Sequence, residues 1–426
     1  MSPLTIDVEG DWLGVTSTVE QTTFGSLLIQ VCGIPLTEVH DSLAQTTRRT
    51  IRVPAIRVAE WLIANYWRLR WEPRPRNRNP RWARAHSLAA LGGGFAWPAL
   101  EVAGDGEMVE LAMQAETSAD AAAIRYLRGC RIEVTGDEFD AALQRFLDRV
   151  ENRIVTTLPA ETSFRELREE LRAERTDPDL THWCRLEARA GINPGEATEE
   201  WRGKVAHVEN EAGHVATEDM LAAAGVGEIA TTVEAMKTSG TSVDLSAASQ
   251  GTALVGKPWE RGVAAAQAMR SALGHADGPM RNEILSEMLG VKLPLDASLQ
   301  QSPPFVGGYR APDLLGQTRV LVPRKRPTGQ RFYLARLLGA ASAMASEENV
   351  LPITEARTAL QKVTRAFAQE FLCPWAELDA WTDANGTDEE AIAQVAEQYE
   401  VSEMLVATTL VNRGKLDRER LDAYAM

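Results

Sequence analysis

Three stretches of this chain hold residues whose types and spacing could do chemistry. The densest runs Trp67-Arg68-Leu69-Arg70-Trp71-Glu72-Pro73-Arg74-Pro75-Arg76-Asn77-Arg78-Asn79-Pro80-Arg81-Trp82-Ala83-Arg84, with seven arginines and three tryptophans against one acid. Guanidinium groups can grip phosphates bidentately, and arginine or tryptophan faces can stack on bases. The prolines argue against a continuous helix, so the arginines are expected on an extended loop, suited to backbone contact rather than groove reading. Arg324-Lys325-Arg326, followed by Arg331, is a second basic knot. The candidate nucleic-acid residues are therefore Arg68, Arg70, Arg74, Arg76, Arg78, Arg81, Arg84, Arg324, Lys325 and Arg326. The same arginines could instead pair with the chain's own acids or pack on tryptophan faces by cation–π contact.

The second stretch, His207 to His214, holds the only histidine cluster. Its spacing is close to two helical turns, but the i,i+4 grip of a zinc site is missing and Gly213 weakens a helix there. No metal is expected from it. Gly92-Gly93-Gly94 is followed by Phe95-Ala96-Trp97 rather than Lys-Ser/Thr, so it is not a phosphate loop. No Ser, Cys or His motif announces a nucleophile. Triads assemble in space, however, and an unrelated active site stays open.

The third stretch is Arg331-Phe332-Tyr333-Leu334-Ala335-Arg336-Leu337-Leu338-Gly339-Ala340. It resembles the catalytic helix of ImmA/IrrE-type metallopeptidases, which opens Arg-Phe-x-Leu-Ala-His-Glu-Leu-Gly-His. There, two histidines hold zinc and the glutamate is the general base. The corresponding positions here are Arg336, Leu337 and Ala340, which can neither bind zinc nor take a proton from water. Phe367-Ala368-Gln369-Glu370-Phe371-Leu372-Cys373-Pro374 is similar to a downstream block of the same family. The third zinc ligand, a glutamate, would stand at Gln361. Pro258-Trp259-Glu260-Arg261-Gly262 and the stretches to Val291 look like the helices before the catalytic hairpin. Ile392 to Asn412 looks like the closing helices. The resemblance implies a zincin-like C-terminal domain without zinc, other cofactor or peptidase activity.

Composition sets the outer bounds. At 426 residues the chain is long enough for two or three cores. A net charge of −15 opposes adhesion of the whole surface to nucleic acid. The four cysteines, Cys32, Cys130, Cys184 and Cys373, fit no Cys-x-x-Cys spacing and read as reduced thiols. With no signal pattern and no membrane-length apolar run, a cytoplasmic protein is expected.

Patterning supplies the elements. Phe24–Cys32, Leu36–Val39, Thr50–Val53 and Met108–Met113 read as strands. Val58, Trp61, Leu62, Tyr66 and Leu69 recur at helical spacing. Thr135-Gly136-Asp137-Glu138 and Ser163-Phe164-Arg165-Glu166 read as capping boxes, the first ahead of a buried face of Phe139, Leu143, Phe146, Leu147 and Val150. Residues 238 to 251, rich in Ser, Thr, Gly and Ala, read as a linker or a weakly packed loop. The last helices, capped near Thr387 and at Ser402, bury Ile392, Val395, Leu405, Val406 and Leu410. The second of them opens Glu403-Met404, which does not suit a DNA-reading helix.

The expected fold is α+β, multidomain and mainly helical. It comprises a small β-containing domain over 1–116, a helical middle region over 117–252 and an inactive metallopeptidase-like domain over 253–426. The expected role is non-enzymatic, regulatory or scaffolding, with a protein partner. The resemblance gives it a setting in antiviral defence or conflict with phage and mobile elements. The alternative is a nucleic-acid-binding (DNA or RNA) subunit using the Arg/Trp stretch.

Overall fold

The computed structural model describes residues 3–14, 18–77, 79–116, 123–158, 163–248, 255–295, 305–310, 316–322 and 326–424. The fold is α+β, mainly helical with small antiparallel sheets. Among the described residues no helix is long and apolar enough to cross a membrane. The chain divides into two units, Met1–Ala197 and Thr198–Met426. The stretch 117–252, read above as one helical region, is shared between them.

In the first unit, the strand Phe24–Val31 is central. It pairs antiparallel with Leu4–Glu9 (Leu4 opposite Val31), with Ile34–Pro35 and with Ile51–Pro54. Two three-stranded antiparallel sheets accompany it. One has the order Cys130–Thr135, Met108–Met113, Glu101–Gly104. The other is built from Thr46–Arg48, Val39–Asp41 and Ile124–Tyr126. The expected strand at 36–39 thus starts late. Leu36 instead bonds back to Ile29, and pairing resumes at Val39.

The helix Gly136–Thr157 starts where the sequence places it. The Thr135 side chain accepts from Glu138 N, and the Glu138 side chain accepts from Thr135 N. Its apolar face, Phe139, Leu143, Phe146, Leu147 and Val150, is fully buried and packs toward the Leu4–Glu9 strand. Ala55–Ala64 and Tyr66–Trp71 carry the predicted stripe into the same core, Val58, Trp61, Leu62, Tyr66 and Leu69 all being buried. Ser163 is the first residue of the helix Ser163–Thr176, and the residues before it lie outside the described set.

In the second unit, a four-stranded antiparallel sheet has the order Thr241–Asp244, Gln317–Leu321, Val306–Arg310, Val350–Ile353. The first of these strands corrects the linker reading of 238–251. Thr241 and Val243 sit opposite Val320 and Thr318, and Val243 is buried, so the short polar sequence is held as a sheet edge. Residues 249–251 lie outside the described set.

Against this sheet lies a packed helix group. Ala359–Leu372 is flanked by Pro258–Ala272 and Pro327–Ala343. Two glycines set these approaches. A Cβ on Gly262 would lie 2.3 Å from Val363 O, and one on Gly339 would lie 2.9 Å from Phe367 Cβ. Only a residue without a side chain lets the backbones come so near. The closing helices Glu389–Gln398 and Glu403–Asn412 bury Ile392, Val395, Leu405, Val406 and Leu410 as expected. The first is capped within the expected Thr387–Glu390 stretch, by Asp388 accepting from Ala391 N at 2.9 Å, and the second by Ser402.

Candidate functional site

The Pro327–Ala343 helix carries Arg336, Leu337 and Ala340 inward, and the Ala359–Leu372 helix brings Gln361 to meet them. Arg336, Leu337, Ala340 and Gln361 are 1%, 2%, 0% and 0% exposed. Arg336 and Gln361, 25 residues apart in sequence, touch directly: an Arg336 terminal nitrogen donates to Gln361 Oε1 at 2.5 Å and to Thr354 O at 2.7 Å. Its Nε donates to Thr364 Oγ1 at 3.3 Å, and its other terminal nitrogen lies 3.6 Å from the Glu355 carboxylate. Phe332, one turn earlier, offers its ring at 5.8 Å from the guanidinium carbon. Leu337 and Leu338 are buried in the core.

The network runs on from Gln361. Its Nε2 donates to Asp219 Oδ2 at 2.6 Å and to Pro352 O at 2.8 Å. Thr358 Oγ1 donates to Asp219 Oδ1, and Thr354 Oγ1 reaches Asp219 Oδ2 at 3.4 Å. Thr358 also caps the Ala359–Leu372 helix, accepting from Gln361 N at 3.2 Å. Every group in the centre of this cluster finds a partner, as buried polar groups must. Burial pushes the Arg336 guanidinium down to about 9, the neighbouring Arg365 adding to the effect and Glu355 opposing it. At neutral pH it is still a cation. The arrangement holds the Arg336 cation against carbonyl, amide and hydroxyl oxygens, with the Asp219 carboxyl on the far side of Gln361. It offers no exposed nucleophile and no open coordination position.

Asp219, Thr354, Thr358 and Thr364 escaped the sequence reading. Asp219 comes from the helix His214–Leu221, far along the chain from Gln361, and no periodicity links the two. Thr358-Ala359-Leu360-Gln361 does carry a visible signal, because it has the Thr-x-x-Gln form of a capping box. The glutamine side chain is spent on Asp219 instead of returning to the cap.

The basic candidates divide. Arg68 Nε bonds Glu72 at 2.7 Å, Arg70 Nε bonds Asp140 at 3.2 Å, and Arg74 bridges Glu101 and Glu110 while lying 4.9 Å over the Trp82 ring. These three are structural ion pairs, the outcome raised above as the alternative to phosphate binding. Arg76, Arg81, Arg84 and Arg326 are exposed. Arg78, Arg324 and Lys325 lie outside the described residues. Arg331 is buried at 2% exposure, bonded to Met280 O at 2.5 Å and Asn282 Oδ1 at 2.7 Å and paired with Glu400 at 3.1 Å.

The expected extended loop is also only partly extended. Tyr66–Trp71 is helical, and Pro80–His86 is a second helix. Pro80 takes the first helical position, where its missing N–H costs nothing. His207 and His214 do not share a helix, because the chain turns at Gly213 (φ 102) between Glu199–Ala212 and His214–Leu221. His207 lies 3.8 Å from Glu211, and His214 Nδ1 lies 2.6 Å from Glu209. All four cysteines are free, and burial pushes the Cys373 thiol up to about 12.

Comparison of the chain with protein-family models, with curated proteins and with solved structures finds no match.

Proposed function

We propose that this chain is a non-enzymatic regulatory or scaffolding protein. In this reading its C-terminal part is a metallopeptidase-like domain whose zinc site has become a buried arginine network. It acts by holding a protein partner rather than by cutting one. One observation carries the reading. The positions that the resemblance assigns to the first and third zinc ligands, Arg336 and Gln361, lie within hydrogen-bond distance of each other, at 2.5 Å. Two residues that far apart in sequence need not meet; they would meet if the helices kept a metal-binding arrangement after the ligands changed. The order of elements agrees with it: two helices, a hairpin, the Pro327–Ala343 helix, then Ala359–Leu372. The setting in conflict with phage or mobile elements follows from the resemblance, and a cytoplasmic location from the reduced-thiol reading of the four cysteines.

Metal analysis tests this directly. The natural chain, purified without chelator, is expected to hold no stoichiometric zinc. The variant Arg336→His, Ala340→His, Gln361→Glu is expected to bind about one zinc per folded chain, with tetrahedral cobalt absorption on substitution. Circular dichroism of the metal-free variant establishes whether it folds. Zinc in the natural chain, lost on changing residues near 336–361, would overturn the proposal. A folded variant that takes up no metal would equally remove the ancestral-site argument.

A further inference from the structure

We propose that Arg76, Arg81 and Arg84 form a contact surface for the phosphate backbone of nucleic acid. The inference concerns the Met1–Ala197 unit and does not depend on the metallopeptidase reading. The arginine-rich stretch is two populations. Arg68, Arg70 and Arg74 are neutralised internally by Glu72, Asp140, Glu101 and Glu110. Arg76, Arg81 and Arg84 are exposed, and none forms an ion pair with a described residue. The chain carries 60 acids against 45 lysines and arginines. Three exposed guanidinium groups within nine residues of sequence, none paired with an acid among the described residues, depart from the charge balance of such a chain.

Arg81 and Arg84 stand three apart on the Pro80–His86 helix, so their side chains are neighbours, and like charges at that spacing repel in the absence of an anion. A phosphate backbone relieves that repulsion.

The platform beneath them is rigid. Asn79 Oδ1 accepts from Arg81 N at 2.9 Å and caps the helix. Trp82 is buried and stacks on His86, with ring centroids 4.1 Å apart and planes within 8°. His86 Nε2 lies 2.9 Å from Glu72, and Nδ1 lies 2.6 Å from Val102 O. The internally paired arginines therefore hold the exposed ones in place.

The chemistry of the partner follows from what is missing. Trp67 and Trp82 are both 4% exposed. The Trp71 ring is covered by the Arg185 and Arg189 guanidinium groups at 4.2 and 5.3 Å. With none of the stretch's three tryptophans, among the described residues, offering a free face, bases have no stacking platform from them, and sequence reading is not expected. A protein partner usually needs an apolar anchor at the centre of its contact. The large apolar side chain of this helix, Trp82, is turned inward. Guanidinium groups without an apolar anchor fit a polyanion, and arginine suits phosphate through its paired N–H donors.

The test is fluorescence anisotropy of the full chain with a labelled single strand and a labelled duplex of mixed sequence, between about 50 and 200 mM salt. Replacing Arg76, Arg81 and Arg84 by alanine together should flatten the log–log salt slope by roughly 2.1 for the single strand or roughly 2.7 for the duplex, from about 0.7 or 0.9 per contact. The probe whose slope changes identifies the form bound. The triple lysine variant should keep most of the slope, which separates lost charge from lost fold. Arg326→Ala, in the other unit, should leave it unchanged. Failure of the natural chain to bind either probe at the lowest salt overturns the proposal. An unchanged slope in a folded alanine variant does the same, as does preferential binding of an acidic polypeptide.

Discussion

Inward-facing arginines find different majority partners in the two units. In Met1–Ala197 most of the arginines drawn inward meet carboxylates, Arg70 with Asp140 at 3.2 Å, Arg74 with Glu110 at 2.6 Å and Arg168 with Asp148 at 2.7 Å, while Arg189 is held by Trp71 O and Asp105 O. In Thr198–Met426 they mostly meet neutral oxygens. Arg270 donates to Ala276 O at 3.2 Å, Phe371 O at 2.7 Å and Gly278 O at 2.6 Å, tying the end of one helix to the loop after another. Arg336 does the same with Thr354 O and Gln361. Burial lowers the Arg270, Arg331 and Arg336 guanidinium groups below their ordinary range. Burial also acts against Arg74, but Glu101 and Glu110 outweigh it and raise that group instead. A carboxylate offsets lost hydration by Coulomb attraction. A carbonyl offsets it only by hydrogen bonds, so the carbonyl-bound arginine is held by geometry. Density of arginine in a sequence is therefore a poor guide to availability. The crowded stretch at 68–84 is half spent, and the isolated Arg336 is wholly spent.

The largest break in this comparison is expected at Arg336. Arg336→Ala removes the donors to Gln361 Oε1 and Thr354 O in a site that is 1% exposed. Two orphaned acceptors and a cavity should cost about 3–5 kcal/mol. Urea unfolding followed by hydrogen exchange of peptides over 327–343 and 359–372 checks it, localising the loss to one unit. Exchange unchanged in both helices would show that the network carries no stability. Next comes Leu337→Glu, which puts an unpaired acid at a position 2% exposed and should cost about 1–3 kcal/mol. An unmoved urea midpoint would mean that the site is open and wet.

These two residues also show how far the sequence could be read. Inward positions of the long helices were legible because apolar residues recur at the helical period, as at Phe139, Leu143 and Phe146. Starts were legible where a cap lies next to its helix, as at Thr135 and Ser402. No local rule pairs Arg336 with Gln361, 25 residues further on. Asp219 could not be placed at all, since its partner Gln361 is 142 residues away and the link is a hydrogen bond with no periodic signature. The ion pairs of Arg70 and Arg74 were hidden for the same reason. Their acids sit on a helix and two strands whose packing no local rule specifies. The edge strand Thr241–Asp244 was misread because its residues are small and polar, and its pairing with Gln317–Leu321 supplies what its composition lacks.

A smaller effect is expected from the carboxylates of the first unit. Burial works to raise the Glu72 carboxyl, but hydrogen bonds from His86 and Arg68 prevail and hold it below its ordinary 4.5. A depressed carboxylate contributes stability that is full above the unfolded value and is lost as pH falls through the folded one. Glu110, held down by Arg131 and Arg74 against burial, behaves alike. Acidification below about 4.5 should therefore loosen the Met1–Ala197 unit, and Glu72→Gln, at a cost of about 1–2 kcal/mol, should flatten that dependence. Hydrogen exchange of peptides over 66–86 as pH is lowered measures it. If the Glu72→Gln chain loosens over the same range and by the same amount, these ion pairs are not what acid breaks.

The smallest effect sharpens the comparison most. Arg74 and Arg81 belong to one stretch and share a charge, yet only Arg74 is pinned, between Glu101 and Glu110 and over Trp82. Arg81→Ala should change stability by no more than about 0.5 kcal/mol, as expected of an exposed site outside any network. It should even relieve the repulsion with Arg84 by a few tenths of a kcal/mol. Arg74→Ala leaves Glu101 without its cation and Glu110 with Arg131 alone, and should cost about 1–3 kcal/mol. Matched urea melts of the two variants decide the matter, read by hydrogen exchange over 101–113. A large loss in Arg81→Ala would place that side chain in the internal network, leaving it no freedom to meet a phosphate. A small loss in both would mean that the carboxylates of the 101–113 hairpin are sufficiently hydrated without Arg74, and the division of the stretch into spent and free arginines would fall.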